Sequence, residues 1–247
     1  MTDDWDFYAL RVDDAPASIF VDLGIQSAAP LASHPNMAYI RLTMNRPRQD
    51  GLSSREEFDA LIEVEKQIEA SLCGEDVGYV GRNTSGGYRD FYFYTSTVQD
   101  WQSRVDCALS PFQDYEYETG TRHDASWSTY FDFLLPGKVD RQRIENRRVC
   151  QELERHGDTL TAQREIDHWS FFPTQEALDA FLRDATAQGF QPRGLPRLMD
   201  GELPYGIQVW RVDVPSYSNI DEITLPLHEA AERHGGEYDG WESPVEA

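Results

Sequence analysis

Apolar residues recur at helical spacing in four stretches of this chain and alternate with polar ones in a longer series of short runs. In SSREEFDALIEVEKQIEASLCG, Phe58, Leu61, Ile62, Ile68 and Leu72 form one stripe. Ser53 followed three residues later by Glu56 has the form of a capping box, and Gly74 is a stop. TVQDWQSRVDCAL puts Val98, Trp101, Val105 and Leu109 on one face, with Thr97 as the expected cap. DRQRIENRRVCQELERHG runs from Asp140 to a stop at Gly157, and TQEALDAFLRDATAQG runs from Thr174 to Gly189. The strand-like runs are FYALRV, SIFVDL, AYIRLTM, VGYVGR, RDFYFYT, DYEYETG, STYFDFLL, REIDHWSFF, GFQPRG and GIQVWRV. Several alternate with period two, as half-buried strands do. RVDDAPAS and RNTSGGYR read as hairpin turns. Near the end, HGGEYDGWE combines a helix stop at its two glycines with a terminal edge strand anchored by Tyr238 and Trp241.

The order of these elements repeats. From residue 53 it runs helix, strand, strand (FYFY), helix, strand, strand. From residue 138 the same order returns, with DHWSFF in the place of FYFY and Thr174 in the place of Thr97. The expected fold class is α+β, two tandem ferredoxin-like α/β sandwiches with antiparallel sheets. LLPGKVDR, with its Pro-Gly break, divides residues 1–135 from residues 138–247.

Charge narrows the function classes. The 247 residues carry 44 acids against 22 bases, a net −22 spread over both halves. Such a field repels phosphate backbones and anionic membrane surfaces and favours a cationic partner. Only Lys66 and Lys138 are lysines; every other base is arginine, the better residue for bidentate pairs. MTDDWDFYAL has acids where a secretory signal has a basic and then an apolar region, and no run reaches the length of a membrane span. The expectation is a cytoplasmic protein. Cys73, Cys107 and Cys150 are widely spaced and read as buried, reduced thiols.

Candidate chemistry is sparse. None of His34, His123, His156, His168, His228 and His234 lies in an HExxH-type motif. Asp167 and His168 face opposite sides of a strand, which spoils them as a dyad. His228 and His234 are too far apart for an i, i+4 metal pair and read as surface helix residues. NTSGG lacks the lysine of a phosphate loop, and no serine has a nucleophile-elbow context. The residues therefore suggest no catalytic, cofactor or metal site. Two further readings stay open: an enzyme with its site in a cleft between domains, and a single-stranded RNA module stacking bases on FYFY or HWSFF.

NRRVCQELERHGD, IDHWSFFP, a helix ending in GF, YGIQVWR and the terminal YDGWE together resemble one family, the regulator of ribonuclease E activity B, over residues 138–247. The first 135 residues, opening WDFYALRVDDAPASIFVDLGI, resemble the domain of unknown function family 695. The resemblance implies a non-catalytic, acidic cytoplasmic protein of modified ferredoxin-like fold. It further implies binding to the non-catalytic scaffold region of ribonuclease E, which dampens RNA degradation. Familiar members carry a longer acidic tail, whereas five residues follow Glu242 in this sequence. A basic protein partner agrees with the charge reading. The expected docking acids flank the last helix and strand: Asp221, Glu222, Glu229, Glu232, Glu237, Asp239 and Glu242.

Overall fold

Strand order decides how the two halves compare. The structure, a computed structural model, describes residues 2–12 and 14–246, and the chain divides into two compact units, Met1–Pro136 and Gly137–Ala247. The first contains β1 (Trp5–Val12), β2 (Ala15–Asp22), β3 (Asn36–Thr43), α1 (Phe58–Leu72), β4 (Val77–Ser85), β5 (Tyr88–Thr95), α2 (Trp101–Leu109) and β6 (Tyr117–His123). Its antiparallel sheet has the order β1-β2-β4-β5-β3-β6. The second contains α3 (Lys138–Arg155), β7 (Arg164–Phe172), α4 (Gln175–Ala187), β8 (Gln191–Leu198), β9 (Tyr205–Asp213), α5 (Ile220–Arg233) and β10 (Glu237–Glu242), with the order β10-β7-β9-β8. The fold class is α+β with two antiparallel sheets.

Each unit thus contains a βαββαβ run with one strand order. In the first it begins at β3, giving β6-β3-β5-β4; in the second it begins at β7, giving β10-β7-β9-β8. This corrects the frame of the repeat. DHWSFF lies in β7, the first strand of its run, and its topological counterpart is β3. FYFY lies in β5, a third strand, whose counterpart is β9. The two matched aromatic runs differ by two strands because the chain adds a hairpin before one βαββαβ run and a helix before the other.

In the first unit Phe91, Phe93, Tyr79, Ala38, Ile40 and Leu42 face α1 and α2 and form one core with Leu61, Val64, Ile68 and Val105. The other sheet face carries Tyr92 and Tyr94, and it is covered too. STYFDFLL is not a strand: Thr129–Leu134 is a short π-helix that returns over the sheet. Trp127 stacks on Tyr94 with centroids 3.9 Å apart, Phe133 meets Tyr92 edge-on, and the Tyr130 hydroxyl donates to the Asp22 carbonyl at 2.6 Å. Asp124 pins the segment by accepting from Tyr94 Oη (2.7 Å) and from the backbone N–H groups of Ser128 and Thr129 (2.8 and 3.0 Å). Burial pushes this carboxyl up, but the bonds from Thr129, Tyr94 and Ser128 outweigh it and hold Asp124 well below the usual carboxylate range.

Three local expectations are revised. The helix behind Ser53 starts at Phe58 with Glu57 at its cap position, so Ser53–Glu56 is not its capping box. Glu57 is instead drawn back to accept from the backbone N–H of Asn45 and Arg46, each at 2.7 Å. Asp100, not Thr97, precedes α2. Thr174 does cap α4, its hydroxyl accepting from Ala177 N at 3.2 Å. Of the cysteines, which are all free, only Cys150 is buried; Cys73 is half-buried and Cys107 exposed.

The second core gathers Leu153 from α3, Leu178 and Phe181 from α4, and Leu227 from α5 against Ile166, Phe172, Ile207 and Val209 of the sheet. All three helices lie on that face. At the end of α5, Gly235 adopts φ +71°, and a Cβ on Gly236 would come within 2.5 Å of the Phe171 carbonyl. The two glycines therefore turn the chain tightly into β10. There Tyr238 and Trp241 are buried, and Trp241 Nε1 donates to Asn146 Oδ1 at 3.0 Å.

Candidate functional site

The last helix and strand carry the seven acids expected at a docking face, and the structure does not bring them onto one face. Glu222 and Glu229 are exposed on α5, seven residues apart and so on one side of the helix. Asp221 is half-buried in the network behind Trp241: its Oδ1 accepts from Asn146 Nδ2 at 2.8 Å, and Arg143 Nε lies 3.7 Å from its Oδ2. Glu232 pairs with Lys138 at 2.5 Å. This bond with Lys138 is the main cause holding the Glu232 carboxyl below its usual range. Glu237 and Asp239 are exposed on β10. Glu242 belongs to the helix-free side of the sheet, where its Oε1 accepts from Trp169 Nε1 at 3.3 Å.

Between α3, α5 and β10 lies a groove of about 570 Å³ whose walls include Gln142, His228, Glu232, Glu237, Asp239 and Trp241. His228 is buried rather than a surface helix residue. Its Nδ1 makes no hydrogen bond and stands 3.8 Å from Glu232 Oε2. Deeper in the core, His168 Nδ1 meets the Tyr238 hydroxyl at 2.8 Å. Burial, helped by the charge of Arg211, lowers the His168 pKa to about 3, so the imidazole is neutral at neutral pH. Asp167 points to the opposite side, as strand alternation requires, and pairs with Arg193. Among the described residues, no three or more His, Cys, Asp or Glu side chains are grouped to hold a metal ion. Nor is any helix among the described residues long and apolar enough to cross a membrane.

The opposite face of the second sheet is a feature that attention to single acids missed. Alternation along β7 sends Glu165, Asp167, Trp169 and Phe171 to this side, and β9 adds Gln208 and Trp210 in register, Trp169 opposite Gln208 and Asp167 opposite Trp210. Trp169, Phe171 and Trp210 are half-buried. Phe171 lies flat across β9 because Gly206 leaves the space: a Cβ there would sit 2.8 Å from the ring. Two arginines of β8 lie on the indoles. Arg193 is 5.0 Å from the Trp210 ring centre while donating to Asp167 Oδ1 (2.5 Å) and Glu165 Oε2 (2.7 Å). Arg197 is 4.8 Å from the Trp169 ring centre. The usable signal in the sequence was the pairing of period-two aromatics in REIDHWSFF and GIQVWRV with the arginines of QPRGLPRL.

Comparison with known proteins follows the same division. Residues 143–243 match the family model described as regulator of ribonuclease activity B, and residues 3–135 match the model of a family of unknown function, DUF695. No curated protein matches the chain. Among solved structures, one described as the crystal structure of an unknown protein from Galdieria sulphuraria aligns over 85% of this chain and 99% of its own, at 12% identity and a TM-score of 0.24. The chain therefore belongs to the DUF695 family, through the first of its two units, and joins to it a second unit that is similar to the family described as regulator of ribonuclease activity B.

Proposed function

We propose that this protein is a non-enzymatic, cytoplasmic regulator that inhibits ribonuclease E-type RNA turnover by binding the basic scaffold region of the nuclease. The observation that carries the reading is the match of residues 143–243 to a ribonuclease-regulator family. The charge supports it: at −22 the chain attracts a cationic partner and repels the nuclease's own RNA substrate. Within the second unit, Glu222, Glu229, Glu237 and Asp239 are exposed, and they supply the long-range part of that attraction. The chemistry of the site leans the same way. The buried His168 is neutral and engaged with Tyr238 inside the core, which disfavours the reading as an enzyme. Half-buried Trp169 and Trp210 suit base stacking, but Glu165, Asp167 and Glu242 on the same face repel phosphate, so protein binding is the better reading.

The test is cleavage of an RNA substrate by ribonuclease E with and without its scaffold region, at rising concentrations of this protein. Inhibition that requires the scaffold supports the proposal, and unchanged cleavage at saturation overturns it. Glu222→Lys with Glu229→Lys, chosen because neither side chain is ion-paired among the described residues, should slow association several-fold at low salt. The difference should fade by 0.15 M salt, where screening acts over about 8 Å.

A further inference from the structure

The helix-free face of the second sheet holds two of the chain's own guanidinium groups. Arg193 lies over the Trp210 indole and pairs with two carboxylates. That is the full complement for an arginine: an aromatic face for the cation and oxygens for the N–H fork. Arg197 has only half of it. It lies over Trp169, and among the described residues its side chain has no ion-pair or hydrogen-bond partner. The carboxylate bonded to that indole, Glu242, accepts from Trp169 Nε1 and Gln208 Nε2 (3.3 and 3.5 Å) through one oxygen. The strand that brings the arginines is weakly attached. Every residue of β8 is exposed, its pairing with β9 shifts register between Arg193 and Arg197, and Leu195 and Leu198 are 86% and 76% exposed.

We propose that this face is a docking surface for an arginine-bearing segment of a protein partner, and that Arg197 is a self-ligand which such a segment displaces from Trp169. The occupant follows from charge and shape together. Three carboxylates, Glu165, Asp167 and Glu242, face the two guanidinium groups of Arg193 and Arg197, so the face favours a further cation over phosphate once Arg197 is displaced, while indole faces select the flat, weakly hydrated guanidinium over the compact ammonium of lysine. Displacement leaves β7 and β9 intact, because Arg197 contributes no ion pair to the sheet. The exposed leucines of β8 lie beside the surface and offer apolar contact to the incoming segment. The inference deepens the proposed function by naming the surface and the side chain it reads, and it rests on that reading for the partner being a protein.

The full chain is titrated with a dodeca-arginine peptide, a dodeca-lysine peptide and a dodecauridylate, with the indole N–H signals of Trp169 and Trp210 followed by NMR. The expected result is tighter binding of the arginine peptide than of the lysine peptide, by about three- to fivefold for one exposed stacking site, with the Trp169 signal shifting. Trp169→Leu should bring the two peptides to equal affinity. Arg197→Ala should raise arginine-peptide affinity about twofold or more, because the competing guanidinium is gone. A purely structural Arg197 would give the opposite sign or no change. Equal affinities in the wild type, unmoved indole signals, a loss of affinity in Arg197→Ala, or preference for the dodecauridylate each overturn the proposal. Ribonuclease E inhibition separates the two ideas. If Trp169→Leu inhibits as well as the wild type, the docking surface is wrong and the regulator reading stands. If the arginine peptide behaves as expected but the wild type leaves cleavage unchanged, the surface stands and the regulator reading falls.

Discussion

The two units share one strand order and treat the far side of the sheet in opposite ways. In the first, the chain after β6 folds back, and Trp127, Tyr130 and Phe133 close over Tyr92 and Tyr94. In the second, the extra element precedes the first strand of the run; α3 packs with the other helices, and the far side holds half-buried Trp169, Phe171 and Trp210 under two arginines. The same βαββαβ frame thus buries its second aromatic layer in one unit and leaves it available in the other. The shared frame does not by itself set function.

The comparison breaks first at Trp127. Its ring is buried against Tyr94, its Nε1 donates to the His34 carbonyl at 3.0 Å, and its backbone sits at φ +58°, a left-handed conformation unusual for a bulky residue. Trp127→Ala should destabilise the first unit by about 3–5 kcal/mol, as truncations of buried aromatics do. Urea unfolding followed separately for each unit is the measurement. A cost under about 1 kcal/mol would mean that the covering segment is not part of the core.

Acid sharpens the contrast. His168 is neutral in the folded second unit with a pKa of about 3, against about 6.5 in an unfolded chain. The unfolded state therefore binds more protons below pH 6.5, and stability falls as pH drops through that window by up to about 1.4 kcal/mol per pH unit. Asp124, which pins the covering segment of the first unit, is also depressed. Its contribution is fully present above about pH 4 and is lost only as pH falls further. Between pH 6.5 and 4.5 the second unit should weaken through His168 while Asp124 continues to hold the first. His168→Gln, which keeps a polar partner for Tyr238 and cannot titrate, should flatten that slope. Hydrogen exchange resolved by unit checks it; an unchanged slope in the variant would assign the acid sensitivity elsewhere.

How much of this was legible in the sequence depends on range. Strands, the hairpin at RNTSGGYR, the Thr174 cap and the terminal edge strand follow from local periodicity and turn chemistry, and the structure has them. STYFDFLL alternates like a strand, yet its aromatics serve a π-helix, because Asp124 collects the backbone N–H groups of Ser128 and Thr129 and curls the segment back over Tyr94. That outcome depends on a partner thirty residues away. The repeat was visible but misframed, since FYFY and DHWSFF look alike locally and differ only in which strands they pair with. The docking acids had the same limitation: nearness to the last helix and strand grouped all seven, but the binding of Asp221 to Asn146 and of Glu232 to Lys138 required the packing of α3. The stacking of β8 arginines on Trp169 and Trp210 likewise depends on strand order.

The smallest expected effect is the most telling for the open face. Trp169 lies on the side of the second sheet that no helix of its unit covers, and it gives up one hydrogen bond of 3.3 Å to Glu242 when truncated. Removing a half-exposed ring and a surface hydrogen bond costs far less than opening a core cavity, so Trp169→Ala should destabilise the second unit by about 1 kcal/mol or less. The same truncation at Trp241, buried on the helix side of β10 and bonded to Asn146, should cost about 3–5 kcal/mol. The two residues share a type and a sheet, Trp169 on the interior strand β7 and Trp241 on the edge strand β10, and lie on opposite sides of it, so the ratio of the two costs measures how open the far face is. If Trp169→Ala proves as costly as Trp241→Ala, that ring is part of a core in solution, the two units have equally closed sheets, and the contrast between them fails at its functional end.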